Sequence, residues 1–242
     1  MIDTHCHIDL YSKPENILIE CEQAGMTVIA MTNLPSHFQM GYPHVLPFKR
    51  IRLALGMHPL HAKLHQNEFP LFLKNLHRTS YIGEIGLDFS RVGFSTKEIQ
   101  LASFSKILTC LSGQKKILSL HSRRAEKEVF EHLKLNKIGA AIFHWYSGPL
   151  SLIDKIADAG YYFSINPAMT ISENGQKIIS RIPLANILTE TDGPFTEING
   201  RQTRPTDVSF VYQHLAKTLA KTNQEVEDII SANFQRLLND IK

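Results

Sequence analysis

Short apolar runs alternate with amphipathic segments along the whole chain, and this alternation predicts strands joined by crossover connections. Each run is apolar on both faces, as expected of parallel strands that are covered on both sides. The predicted strands cover residues 2–7, 27–32, 52–57, 81–87, 116–121, 140–145, 161–166 and 186–192. Eight such units predict an α/β fold, a (β/α)8 TIM barrel, with residues 1–242 in a single domain.

Helix signals occupy most of the connections between these strands. Pro14 suits the first turn of a helix that stops at Gly25. Ser95 and Glu98 predict a capping box for a helix that runs to about residue 111. Further helical segments are expected at about residues 62–78, 205–222 and 224–239.

One connection does not carry a helical pattern. Residues 33–50 contain Pro35, Pro43 and Pro47, and proline in a helix interior removes a hydrogen bond and clashes with the preceding turn. We therefore expect this segment to form a loop over the mouth of the barrel.

Composition narrows the class of protein without identifying it. The chain is 43% hydrophobic and 20% charged, as in ordinary globular proteins, and its net charge of +3 permits an anionic partner. Three unpatterned cysteines argue against a disulfide framework. No apolar run approaches the roughly 18 residues of a membrane span. We expect a cytoplasmic protein with no membrane association.

Polar residues that can bind metal fall at the carboxyl ends of the predicted strands, where barrel enzymes place their active sites. The set is His5, His7, Glu84, His121, His144 and Asp192. Residues two apart on a strand point to the same face, about 6.6 Å apart, so His5 and His7 can converge on one ion. Considered alone, this pair is equally well explained as polar residues at a strand start. Cys6 between them is expected to face outward and pack.

Glu84 strengthens the case for metal because it lies inside an apolar strand, where an unpaired carboxylate is penalised. A buried Arg or Lys partner would be the simpler explanation, but the other inward groups are imidazoles and a carboxylate. Six ligands exceed the number that one tetrahedral ion uses. The set therefore indicates two ions that share a bridging carboxylate.

The motifs DTHCHID, GEIGLDF, LHSRRA, FHWYSG and TETDGPF, in this order and spacing, resemble those of the TatD family of metal-dependent deoxyribonucleases, within the amidohydrolase-like barrels. The similarity extends to the closing NFQRLL. FHWYSG, FSINPAM and TETDGPF most resemble the TatD-type nucleases encoded in Qat anti-phage operons. That finer likeness implies a role in anti-phage defence, with other subunits of such a system as partners.

The resemblance implies a role for each candidate ligand. His5 and His7 would hold one divalent ion, His121 and His144 a second, and Glu84 would bridge them. Asp192 would bind the first ion and take the proton of the attacking water, so Asp192 and Glu84 are the catalytic pair. The implied cofactors are two ions of Mg²⁺, Mn²⁺ or Zn²⁺, which lower the pKa of a bridging water and stabilise the leaving oxygen.

The strand period adds two buried acids to this set. Asp3 and Glu190 lie two residues before His5 and Asp192, so both should point inward, one layer deeper in the barrel. We expect them to accept ring N–H groups of ligating histidines or to position a further ion. Buried cations lower in the barrel are the alternative partners.

Four residues are predicted to contact substrate from the same end of the barrel: Arg123, His58, Trp145 and Arg204. Guanidinium groups bind phosphate oxygens bidentately, and Trp145 can stack on an exposed base. Arg201, Arg124, Phe89, Tyr146 and Phe195 are weaker candidates; Arg124 can instead pair with Glu128. The basic residues at or just before the start of predicted strands three and five, among them Arg52 and Lys116, should lie at the bottom as solvated surface charge.

These features predict a metal-dependent DNase that acts on DNA, with single-stranded ends cleaved in an exonuclease manner. Two alternatives stay open. The same site could hydrolyse acyl or amide bonds, as in a deacylase of mischarged tRNA. A scaffold subunit that binds nucleic acid would be expected to lack ligands, and all six are present.

Overall fold

Parallel strands form a barrel at the centre of the computed structural model, which describes residues 1–241. The barrel strands are β1 (Ile2–Cys6), β2 (Thr27–Ala30), β3 (Ile51–Leu53), β4 (Leu55–Met57), β5 (Tyr81–Gly86), β6 (Ile117–His121), β7 (Ala140–His144), β8 (Tyr162–Ile165) and β9 (Ile187–Thr189). They pair in the order β1-β2-β3 and β4-β5-β6-β7-β8-β9. β3 and β4 are separated by one residue and together form the third predicted strand, so the (β/α)8 prediction is confirmed.

The ring of strands closes where β9 meets β1. The hydroxyl of Thr4 donates a hydrogen bond of 3.0 Å to the carbonyl of Thr189. Beyond the end of β9, the amide of Asp192 donates to the carbonyl of His5 at 2.9 Å. This second bond brings the chain after β9 against β1 at the carboxyl end of the barrel.

Helices surround the barrel and are joined to it through short turns. They are α1 (Pro14–Gln23), α2 (Pro35–Val45), α3 (His65–Asn75), α4 (Lys97–Leu111), α5 (Glu126–Leu135), α6 (Leu150–Asp158), α7 (Pro167–Ile171), α8 (Glu173–Arg181), α9 (Ser209–Thr218) and α10 (Asn223–Asn239). A small antiparallel hairpin, β10 (Glu197–Ile198) and β11 (Arg201–Gln202), follows β9. No helix within residues 1–241 is long and apolar enough to cross a membrane.

Apolar side chains fill the layer between strands and helices. Phe38 of α2, Phe104 of α4 and Ile230 of α10 are almost completely buried against it. Burial of a side chain of this size contributes about 1.5–3 kcal/mol. Cys6 lies in the same apolar layer and is fully buried, which confirms that it packs rather than facing the centre of the barrel.

The expected loop at residues 33–50 was wrong, because α2 covers much of this segment. Pro35 occupies the first turn, where no intrahelical donor is needed. Pro43 lies close to the end of the helix, and Leu46 still donates to the carbonyl of Tyr42 at 3.1 Å. Burial of Phe38 offsets the hydrogen bond that Pro43 removes.

The predicted capping box at the start of α4 was also wrong. A 3-10 turn at Phe94–Thr96 precedes the helix, which begins at Lys97 with Thr96 as its N-cap. The hydroxyl of Thr96 donates to the carbonyl of Gly93 at 3.0 Å instead of capping the helix. The extra turn displaces Ser95 from the capping position that its spacing from Glu98 suggested.

Candidate metal centre

The structure brings the six predicted ligands together at the carboxyl end of the barrel. His5 lies on β1 and His7 just after it; Glu84 lies on β5; His121 and His144 end β6 and β7; and Asp192 follows β9. Close packing of β5 on β6 depends on Gly86, whose φ is +140° and whose missing Cβ would meet the carbonyl oxygen of His121 at 1.9 Å. Only glycine fits at this position.

One oxygen of Glu84 faces the histidines of the first motif. Glu84 Oε2 lies 3.2 Å from His7 Nε2 and 3.6 Å from His5 Nε2. Asp192 Oδ1 approaches the same two nitrogens, at 3.5 Å from His5 and 3.8 Å from His7. Two imidazoles and two carboxylates thus surround one position.

The other oxygen of Glu84 faces a second group of histidines. Glu84 Oε1 lies 2.6 Å from His121 Nδ1, 3.0 Å from His144 Nε2 and 3.3 Å from His58 Nε2. His58 was predicted to contact substrate, but the structure places its nearly buried ring inside this group. The two oxygens of one carboxylate therefore separate two sets of imidazoles.

The donor atoms are close enough to share ions. In each of three overlapping groups the ligand atoms lie within 4.8 Å of one another: His5, His7 and Glu84; His5, His144 and Asp192; and His58, Glu84 and His121. Imidazole nitrogens combined with carboxylate oxygens suit Zn²⁺ and Mn²⁺. The residues present therefore fit a divalent metal centre.

The pKa values of the Glu84 and Asp192 carboxyl groups are shifted in opposite directions. Burial alone would raise the pKa of Glu84, but the surrounding His58, His144 and His121 hold it well below its usual range. Burial raises the pKa of Asp192 well above its usual range; His144 opposes this shift, but Glu190 and Glu84 add to it. Asp192 therefore has less compensating charge than Glu84, and a divalent cation beside it would supply more.

The pKa values of His144 and His5 are also shifted in opposite directions. Burial opposes charge on His144, yet Glu84 and Glu190 raise its pKa well above the usual value. Burial and the neighbouring His144 lower the pKa of His5 well below it. His5 is thus held neutral, which is the form that binds a metal ion.

Asp3 does not contact an imidazole, contrary to one of the two roles expected for it. Its Oδ1 accepts the backbone N–H groups of His5 and Thr191, each at 3.1 Å, and its Oδ2 accepts the Thr191 hydroxyl at 2.5 Å. Burial raises the pKa of Asp3 to about 8. Asp3 therefore ties the end of β1 to the segment that carries Asp192.

Glu190 lies beneath the second group of histidines, as its position in the strand suggested. Its Oε1 lies 3.5 Å from His144 Nδ1 and accepts hydrogen bonds from the Trp145 amide and the Asn166 side chain, both at 3.1 Å. The Ser164 hydroxyl donates to its Oε2. The His144 ring and neutral donors, rather than a buried Arg or Lys, thus surround this carboxylate.

Two contacts of the ligands escaped the sequence analysis. Asp88 Oδ2 lies 2.8 Å from His121 Nε2, and Ser119 Oγ lies 2.8 Å from His5 Nδ1. Asp88 belongs to the GEIGLDF motif, and Ser119 lies two residues before His121 on the inward face of β6. The motif and the strand period could therefore have identified both residues from the sequence. Polar partners on the second ring nitrogen orient a ligating imidazole.

Two of the four arginines predicted or considered as phosphate ligands pair with acids. Arg204 pairs with Glu20 at 3.0 Å, and Arg201 binds both oxygens of Asp207 at 2.7 Å. Arg123 is exposed and takes part in none of the ion pairs within residues 1–241. Arg124 is exposed too, and none of the same ion pairs joins it to Glu128, so Arg123 and Arg124 are both available to an anion.

Two of the aromatic candidates are exposed close to the ligands. Trp145, whose φ is +38°, follows His144 and is 37% exposed. Phe195 is 58% exposed and packs edge-on against His7, with ring centroids 5.1 Å apart. Tyr146 is buried, so it packs in the interior rather than facing a substrate.

Comparison with known proteins gives one consistent family. The family model described as TatD related DNase matches residues 2–239. An uncharacterised metal-dependent hydrolase of Methanocaldococcus jannaschii is 28% identical over 96% of this chain and 94% of that protein. The human deoxyribonuclease TATDN3 is 24% identical over 100% of this chain and 96% of that protein.

Solved structures agree with the fold. The crystal structure of YjjV, a TatD homologue from Escherichia coli, superimposes with a TM-score of 0.85 and 25% identity, over 99% of this chain and 98% of that one. The family match leaves only the first residue and the last three outside it. The chain belongs to the family of TatD-related DNases, as its motifs suggested.

Proposed function

We propose that this protein is a metal-dependent deoxyribonuclease that hydrolyses phosphodiester bonds of DNA with two divalent ions. One observation carries the proposal: the two oxygens of Glu84 face separate groups of imidazoles. A carboxylate in that position can bridge two ions. Bound ions would lower the pKa of a water molecule and stabilise the charge on the leaving oxygen.

The residues of the chain divide the remaining work. His5, His7 and Asp192 would hold the first ion, and His121 and His144 the second, with His58 beside them. Asp192 would take the proton of the attacking water, because it lies at the lip of the barrel where substrate enters. The carboxylates of Asp88 and Glu190 would keep the rings of His121 and His144 in register.

The surroundings of the centre support a single-stranded end as substrate. Trp145 and Phe195 present exposed rings near the ligands, and aromatic rings stack on bases that are not paired. Arg123, which follows β6, would bind a phosphate oxygen with its guanidinium group. Cleavage from the end of a strand is the manner that the resemblance to TatD-type nucleases implies.

A role in anti-phage defence is a finer proposal, supported by the forms FHWYSG, FSINPAM and TETDGPF alone. Other subunits of such a system would then be partners. Cells that express the protein with those subunits should resist phage, and the Asp192→Asn variant should not. Equal survival of cells with either form would remove the defence role without affecting the nuclease.

The nuclease is tested with purified protein that has been stripped of metal and reloaded with Mg²⁺, Mn²⁺ or Zn²⁺. Labelled single-stranded DNA, double-stranded DNA and aminoacyl-tRNA are offered in parallel. Asp192→Asn is the test variant. Asp158→Asn, at an exposed position on α6, is the matched control.

We expect cleavage of single-stranded DNA by the wild type and by Asp158→Asn, and none by Asp192→Asn. Absence of DNA cleavage with every metal would overturn the proposal. Release of amino acid from tRNA in its place would favour a deacylase. Full activity of Asp192→Asn would remove Asp192 from the chemistry while leaving the nuclease itself standing.

A further inference from the structure

A cavity of about 460 Å³ opens at the bottom of the barrel, at the amino ends of the strands. It lies where β3 begins at Ile51, where β5 begins at Tyr81 and beside the residue before β6. Its basic lining residues are Lys49, Arg52, His77, Arg78 and Lys116. We call this feature the basic cavity.

The cations of the basic cavity are held in place by neutral groups. Lys116 Nζ donates to the carbonyl oxygens of Leu76 at 2.8 Å and Thr79 at 2.6 Å. Arg52 donates to the carbonyl oxygen of Ile51 at 2.9 Å. Each side chain is therefore oriented without losing its charge to an acid.

Arg78 is fixed in a similar way from the other side of the cavity. Its guanidinium carbon lies 4.1 Å from the centre of the Tyr42 ring, and it donates to the side-chain oxygen of Asn75 at 3.1 Å. The Tyr42 hydroxyl donates to the backbone carbonyl of Arg78 at 3.3 Å. Tyr42 belongs to α2, the helix that the prolines of this segment concealed.

The positive charge in the cavity has no counter-charge. No Asp or Glu occurs among its lining residues in the described part of the chain. Arg52, Arg78 and Lys116 are absent from every ion pair within residues 1–241, each of which joins other groups. Cations that share one concave site repel each other, and a bound anion would relieve that repulsion.

The basic cavity is separate from the metal centre. Lys116 precedes β6, and His121 ends it, so the two sites lie at opposite ends of a five-residue strand. At a rise of about 3.3 Å per residue this separates them by about 16 Å. Nothing that the metal centre binds accounts for the charge at the bottom.

We propose that the basic cavity binds a small phosphate-bearing anion of the nucleoside monophosphate class. Guanidinium groups recognise phosphate oxygens with paired N–H donors. The volume falls in the range of about 300–1,000 Å³ typical of small-molecule sites. Half-buried Tyr42, Phe48 and Tyr81 add ring surface for a base beside the cations. This assignment goes beyond the nuclease and does not depend on it.

The test is a titration of metal-loaded protein with dAMP, with inorganic phosphate and with deoxyadenosine, which lacks the phosphate. Because the metal centre also attracts phosphate, the binding step of the cavity is identified by variants. Arg52→Gln removes one of the cations that line the cavity. Ser80→Glu adds a carboxylate to the lining and keeps every lining cation. Arg50→Gln removes the same charge at an exposed residue that does not line the cavity.

We expect Arg52→Gln and Ser80→Glu each to weaken one dAMP-binding step by about tenfold or more, because bonds to a charged group are lost or opposed. Arg50→Gln should change it less than twofold, and deoxyadenosine should not bind there. If a lining variant abolishes the binding of inorganic phosphate but leaves the dAMP-binding step unchanged, dAMP is not bound through its phosphate. That result would overturn the proposal.

An equal effect of Arg50→Gln and Arg52→Gln would reduce the cavity to diffuse surface charge and overturn the proposal. So would titrations that no lining variant alters. Circular dichroism checks folding of each variant. If Arg52→Gln does not fold, Ser80→Glu decides the question at an exposed position.

Discussion

The two ends of the barrel gather charge in opposite ways. At the carboxyl end, imidazoles and carboxylates are buried and face each other, with Glu84 between two groups of histidines. At the amino end, the cations of the basic cavity are oriented by carbonyl oxygens and an aromatic ring, without an acid. The first arrangement is suited to a cation that its oxygen and nitrogen donors can share. The second is suited to an anion.

The largest effect is expected from Glu84→Gln, which keeps the shape of the side chain and removes its charge. If one carboxylate serves two ions, its loss should cost several kcal/mol of transition-state stabilisation, about a thousandfold in kcat/KM. Glu98→Gln, on the surface of α4, is the matched control. Measured activity within tenfold of the wild type would show that Glu84 does not bridge.

Removal of metal is the next test, and it should affect only the carboxyl end of the barrel. A ligand at 100 times its Kd stabilises the folded state by about 2.7 kcal/mol. We therefore expect chelation to lower the Tm of the wild type, and readdition of Mn²⁺ to restore it. Under chelation, Glu84→Gln should have a Tm at or below that of the wild type, because the surrounding histidines stabilise the charge of Glu84 in the folded state. An unchanged Tm of the wild type on chelation would argue against a metal in the centre.

Asp88→Asn probes a residue that orients a ligand. Burial alone would raise the pKa of Asp88, but the hydrogen bond to His121, the bonds to Ser90 and the His121 charge lower it to about 2, so the carboxylate is ionised at neutral pH. Its replacement should cost 10–100-fold in metal affinity or activity, as is usual for groups that orient a ligating imidazole. Metal titration followed by DNA cleavage measures both. Asp158→Asn should leave both unchanged.

Much of the site at the carboxyl end of the barrel was predictable from sequence, because strand period and barrel topology determine which residues reach the rim. His5 and His7 needed only the period of two, and His144 only its place at a strand end. The contact between Arg204 and Glu20 was not predictable, since it joins residues 184 positions apart through tertiary packing. The same holds for His58, whose place beside Glu84 depends on the turn after β4.

The amino end of the barrel was less predictable because the basic cavity depends on α2. Proline content argued against that helix, yet Phe38 supplies the burial that stabilises it. Without α2 there is no Tyr42 against Arg78, and the sequence alone predicts Arg52 and Lys116 as ordinary solvated charges. Three-dimensional packing, rather than composition, turns them into one concave site.

The smallest effect is expected at the arginines near the rim. Arg123→Gln should raise KM for single-stranded DNA by about tenfold, because a charged hydrogen bond to phosphate is lost. Arg204→Gln should change KM less than twofold, since that side chain is occupied by Glu20. Steady-state cleavage at several salt concentrations separates the two. The reverse order would show that the Glu20 pair opens to admit substrate.

The most direct test of the central claim is anomalous diffraction from crystals of the protein loaded with Mn²⁺. We predict two peaks on either side of the Glu84 carboxylate, one beside His5, His7 and Asp192 and the other beside His121 and His144. A single peak, or none within reach of Glu84, would contradict the two-ion centre on which the proposed nuclease depends.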